Sequence, residues 1–94
     1  MNNADFKLAE KNAKKLGVKI KRSKKKNKKL DVFDKQGNLL ASVGDKRYNH
    51  YHSYIRIKGK EFADKRRRLY KIRHNKTRGK VGSPSYYADK LLWD

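Results

Sequence analysis

The sequence predicts an α+β fold: a three-stranded antiparallel β-meander packed against a long basic helix, with short helices at both ends. Three observations carry this. First, β-prone runs Leu30-Asp-Val-Phe-Asp34 and Leu39-Leu-Ala-Ser-Val43 flank a short polar linker with glycine at Gly37, the pattern of a hairpin with a left-handed turn residue. Second, residues 59–74 repeat apolar positions at helical spacing among lysines and arginines. Third, the segments at either end carry helix start and stop signals. With 94 residues, one small domain spanning 1–94 is expected, its core thin because only 35% of residues are hydrophobic.

Taken in order, residues 5–16 predict a helix. Phe6, Ala9, Ala13 and Leu16 share a face, Asn3 or Asp5 can cap the start, and Gly17 suits the stop. The face is narrow and alanine-rich, so this helix docks rather than standing alone. Residues 18–23 follow as an edge strand, Val18 and Ile20 alternating with lysines, and residues 29–34 and 39–44 complete the sheet. Between the first two strands a loop carries Lys24, Lys25, Lys26, Lys28 and Lys29; Lys19 to Lys29 holds eight basic residues and no acid. Blunting a sheet edge needs one or two lysines, so this run is read as a sequence-blind phosphate contact.

In residues 45–58 tyrosine recurs every third position, at Tyr48, Tyr51 and Tyr54, with His50 and His52 between them. An irregular crossing is expected here, becoming a short helix near Ser53 and ending at Gly59. These rings can stack on bases, or they can wrap the small core with their hydroxyls wet; scarcity of aliphatic side chains favours the core.

The basic helix is expected over 60–75. Phe62, Leu69 and Ile72 share a face flanked by Ala63 and Tyr70, while Arg67, Arg68 and Lys71 lie opposite, facing a partner. Arg66 and Arg73 fall on the apolar side, where a guanidinium needs a carboxylate or an aromatic face. They are therefore read as structural, with Asp31, Asp34, Asp45 and Asp89 as possible partners. Lys65 to Lys80 carries nine basic residues without an acid, adding Arg78 and Lys80 to the polyanion contacts. A polar linker leads to the last helix, 84–93, capped by Ser83 with Pro84 at its first position. Leu91 and Leu92 or Trp93 should close the core; the other reading of Trp93 is an anchor into a partner.

Charge sets the partner class. Lys and Arg number 28 against 9 Asp and Glu, a formal net charge of +19 and a pI near 10.3. Such self-repulsion is relieved by a polyanion: nucleic acid first, then an acidic protein surface or anionic lipid. The absence of cysteine excludes disulfides and thiolate metal sites. No apolar run reaches membrane-spanning length and the N-terminus has no signal-peptide core, so a soluble protein working where it is made is expected.

One constellation hints at chemistry. His50-Tyr-His52 matches the metal-binding His-hydrophobe-His of rolling-circle relaxases, and Tyr87-Ala-Asp-Lys90 their Tyr-x-x-Lys. That chemistry needs both histidines on a rigid central strand, whereas Asn49 and Ser53 beside them predict a loop. The sequence is read as a non-enzyme with no cofactor and no metal.

Five stretches together carry a resemblance. They are Ala13-Lys-Lys-Leu-Gly-Val18, the Lys24–Lys29 turn, Val43-Gly-Asp-Lys-Arg-Tyr48, Asp64-Lys-Arg-Arg-Arg-Leu-Tyr-Lys-Ile-Arg-His74 and Tyr86-Tyr-Ala-Asp-Lys-Leu-Leu-Trp93. In their order the chain resembles small basic proteins of unassigned function from large DNA viruses and tailed phages. The resemblance implies a viral setting and a place in the virion, at the capsid interior or between capsid subunits, and transfers no catalytic residue. The expected function is a minor capsid protein that binds the packaged genome or acidic capsid subunits. The alternatives are a soluble nucleic-acid-binding protein of infected cells and, remotely, the metal-dependent relaxase.

Overall fold

The computed structural model describes residues 1–93 and has the predicted α+β composition. Helix α1 (Asn3–Leu16) leads into strands β1 (Lys19–Arg22), β2 (Lys28–Phe33) and β3 (Leu39–Asp45). Helices α2 (Tyr51–Lys58), α3 (Lys60–Arg73) and α4 (Pro84–Leu92) follow. The sheet is an antiparallel meander in the order β1-β2-β3. Its register opposes Ile20 to Val32 and Leu30 to Val43, which puts Leu30, Val32, Ala41 and Val43 on one buried face. On the other face the Ser42 hydroxyl donates to Asp31 at 2.7 Å.

Local signals explain most boundaries. The side chain of Asn2, rather than Asn3 or Asp5, accepts the Asp5 N–H and caps α1, and Gly17 ends it at φ +74°. In the β2–β3 turn Gly37 is left-handed, and Asp34 Oδ1 accepts the backbone N–H groups of Gln36 and Asn38. Ser83 caps α4 with Pro84 at its start, as expected. Strand β2 begins one residue earlier than expected, at Lys28, because Asn27 at φ +63° already completes the turn.

The core differs from expectation in which helices cover the sheet. Ala9 and Ala13 of α1 and Tyr87, Leu91 and Leu92 of α4 pack on Leu30, Val32, Ala41 and Val43. Leu30, Leu91 and Leu92 are buried to 1% exposure or less, each burial contributing roughly 1.5–3 kcal/mol. The end of α4 reaches β3 at Gly44, where an added Cβ would lie 2.8 Å from Leu92 Cδ1 and 3.0 Å from Lys29 Cβ. The long basic helix α3 lies on α2 and stands apart from the strands.

The helix also turns a different face inward. Ala63 and Tyr70 are buried, whereas Phe62, Leu69 and Ile72 are 40%, 45% and 67% exposed. The cause is α2, a full helix where the sequence predicts a largely irregular crossing. It begins immediately after His50, whose N–H donates to Ser53 Oγ at 2.8 Å, and Tyr51 donates its hydroxyl to Asp64 at 2.6 Å. A short helix joined through Gly59 alone can cover only a narrow stripe, and the small Ala63 lets it approach. No helix of the described residues is long and apolar enough to cross a membrane.

Candidate polyanion interface

Because α3 leans on α2 and away from the sheet, it has two open flanks. The first is a shallow groove of about 720 Å³ that includes Asp64, Arg67, Arg68, Lys71 and Arg78. The second is a cleft of about 920 Å³ between α3 and the neighbouring ends of β2, β3 and α4.

Cations on the groove side are largely compensated. Arg67 lies over the Tyr51 ring at 4.1 Å from its centroid and 3.7 Å from Asp64, which also receives Lys60 at 2.8 Å. The fully buried Asp89 carboxylate is met by Lys71 at 3.0 Å and by Arg78 and Lys90 at 3.8 Å each. Arg78 Nε also donates to the Lys71 carbonyl at 3.3 Å. Arg67, Lys71 and Arg78, expected as free polyanion contacts, are therefore tied into the fold. The reason is the turned helix: the face that held them away from the core now carries them toward α2 and α4. Arg68 stays exposed and makes no ion pair among the described residues.

On the cleft side the balance is the opposite. Lys28, Arg66 and Arg73 line it, and its one acid among the described residues, Asp45, is occupied by the Nε and Nη2 of Arg47. Those hydrogen bonds hold the Asp45 carboxyl down at about 2. Arg73 is exposed and forms no ion pair among the described residues, so the structural role expected of it is corrected: the apolar face beside it was never buried. Arg66 keeps part of its expected role, its guanidinium lying 5.7 Å from the Tyr54 centroid, an aromatic partner rather than a carboxylate. Trp93 stacks on Tyr70 at 4.5 Å and 9° between planes, so it closes the core from one side and floors the cleft on the other. Burial, with the nearby Asp89 charge, pushes the Tyr70 phenol up to about 12.

A polar chain closes the inner end of the cleft. Lys29 Nζ lies 3.0 Å from His50 Nδ1, His50 Nε2 lies 3.7 Å from Asp5, and Arg56 Nη1 reaches both Asp5 oxygens at 2.9 Å. Burial lowers Lys29 to about 8 against the pull of Asp5 and Asp45. Burial and then the Lys29 charge lower His50 to about 3. At neutral pH the ring is thus uncharged, its Nδ1 accepting from the ammonium. Lys29 is a half-buried strut rather than a mobile phosphate contact. Asp5 and Arg56 had no signal in the sequence: fifty-one positions separate them, and Asp5 looked like a helix cap.

Lys24, Lys25 and Lys26 are exposed at the β1–β2 turn, and with Lys28 and Lys80 they make no ion pair among the described residues. The histidine pair does not have the setting that relaxase chemistry requires: His50 precedes α2, His52 lies within it, and Tyr87 is buried in the core. Among the described residues no group of three His, Cys, Asp or Glu side chains could hold a metal ion. No protein-family model, curated protein or solved structure matches this chain.

Proposed function

We propose that the protein is a non-enzymatic binder of polyanions, a small basic component of a viral particle held against packaged nucleic acid or acidic capsid subunits. The observation that carries the binding is the distribution of charge. Among the described residues four aspartates (Asp5, Asp45, Asp64 and Asp89) take up the ion-paired cations, while Lys24, Lys25, Lys26, Lys28, Arg68, Arg73 and Lys80 face outward and form no ion pair. Cations so placed repel one another in the free protein and are relieved by phosphates. The viral setting comes from the sequence resemblance.

Binding of this kind follows counterion release. With about six phosphates neutralised, affinity for duplex DNA should fall on the order of 10³-fold between 50 and 200 mM salt. A flat salt response measured by fluorescence anisotropy would remove phosphate neutralisation as the mechanism. Mass spectrometry of purified particles tests the setting, and a particle without this chain would leave a nucleic-acid-binding protein of the infected cell.

A further inference from the structure

The open cleft beside α3 combines two kinds of surface that simple charge neutralisation does not need together. Its lining is in part cationic, with Lys28 on β2 and Arg66 and Arg73 on α3, and Asp45 is already engaged by Arg47. It is also aromatic and aliphatic: Tyr48, Trp93, Leu69 and Ile72 all line it, and Tyr48 is 63% exposed. A volume of about 920 Å³ falls within the roughly 300–1,000 Å³ of ligand-binding clefts. We infer that this cleft seats an unpaired base of a single-stranded nucleic acid, its flanking phosphates on Lys28, Arg66 and Arg73.

Three features select this occupant. A duplex keeps its base faces stacked and has only phosphates and groove edges to offer, so it cannot use the Tyr48, Trp93, Leu69 and Ile72 surface. An unstacked base can, since aromatic side chains accept any base face. The cationic lining also continues out of the cleft, from Lys28 at the start of β2 to Lys24–Lys26 in the turn immediately before it. A track of that kind suits a polymer with a charge on every repeat better than an acidic peptide, whose charges are discontinuous. The inference rests on the polyanion reading above and adds to it the strandedness of the polymer.

Trp93 is the chain's single tryptophan and lines the cleft, so its fluorescence reports occupancy directly. The full-length protein is titrated with a twelve-residue oligothymidylate, a duplex of equal phosphate number, and inorganic polyphosphate. Oligothymidylate should quench Trp93 and bind about tenfold tighter than the duplex at moderate salt, while polyphosphate binds without quenching. The exposed-site variants Tyr48→Ala and Ile72→Ser should each lose severalfold in oligothymidylate affinity and leave polyphosphate binding unchanged. Equal quenching by polyphosphate, or unaltered oligothymidylate binding in both variants, overturns the base site while leaving the polyanion reading in place. Displacement of oligothymidylate from Trp93 by an acidic peptide bearing leucine and aromatic anchors, at lower concentration than a second oligothymidylate, assigns the cleft to protein instead. If no polyanion binds at low salt, both readings fall.

Discussion

The two flanks of α3 begin from the same material, a run of basic residues on one helix, and end as different surfaces. On the groove side Arg67, Lys71 and Arg78 meet Asp64, Asp89 and a tyrosine face; on the cleft side Arg66 and Arg73 meet aromatic rings or solvent. The difference comes from where the carboxylates lie, Asp64 on the groove side of α3 itself and Asp89 on α4. Basic residues in a strongly cationic chain are thus divided by their surroundings into those that hold the fold and those left to bind.

The sharpest way to break this comparison is at Asp89. Replacing it as Asp89→Asn removes the buried charge that Lys71, Arg78 and Lys90 meet, and should cost about 1.5–3 kcal/mol in chemical denaturation. A loss under about 1 kcal/mol, the range of exposed pairs, would mean that the groove-side cations are not held by their carboxylates.

Acid should act at the inner end of the cleft. The unfolded chain protonates His50 below its ordinary 6.5, whereas the folded one resists until about 3. Protons therefore bind the unfolded state preferentially in that window, and stability should fall as pH drops from 6.5 toward 3, by on the order of a few kcal/mol. His52 and His74 are lowered in the same direction, chiefly by burial. Denaturation midpoints at pH 7 and 4.5 check this, and His50→Gln should flatten most of the slope. The Asp45 contribution, from a carboxyl lowered to about 2, is fully present above its ordinary 3.8 and is lost as pH falls from 3.8 to about 2.

Smaller effects separate the arginines. Arg67→Ala should cost about 1 kcal/mol of stability through its lost stacking on Tyr51 and leave the salt slope of DNA binding unchanged. Arg73→Ala should leave stability within about 0.5 kcal/mol and lower the salt slope by about one. Paired denaturation and salt titrations read both, and identical behaviour of the two variants would erase the distinction between the flanks.

Much of the fold was legible because it rests on local periodicity. Alternation in residues 30–34 and 39–43, the Gly37 turn and the Ser83-Pro84 start are short-range signals, and each appears where expected. The rotation of α3 was not legible. Its three large aliphatic or aromatic residues fall on one face, but a face that sparse is outweighed once α2 packs on Ala63 and ties Tyr51 to Asp64. That reversal carried Arg67 and Arg73 to the opposite of their expected roles. Asp89 is one of four carboxylates the sequence offers to Arg66 and Arg73, but its partners are Lys71, Arg78 and Lys90. The Lys29, His50, Asp5 and Arg56 chain joins three separate elements, β2, α1 and α2, and no repeat in the sequence marks such a meeting.

One residue of backbone joins α2 to α3. Gly59 holds φ +90° and ψ 165°, a region essentially restricted to glycine, and nothing lies within 4 Å of where a Cβ would stand. The two helices therefore meet at a single pair of torsions, a pivot locked by the Tyr51–Asp64 hydrogen bond and the Arg67–Tyr51 stack, from which α3 extends as an arm about 21 Å long at 1.5 Å per residue. A 10° swing at the pivot would carry the far end through about 4 Å by that same length. The Tyr70–Trp93 stack and the Lys71–Asp89 pair are the stops that hold the arm where it is. The width of the cleft thus depends on one glycine: a residue at position 59 unable to hold φ +90° would redirect α3 and, with it, Arg66 and Arg73 on the cleft wall.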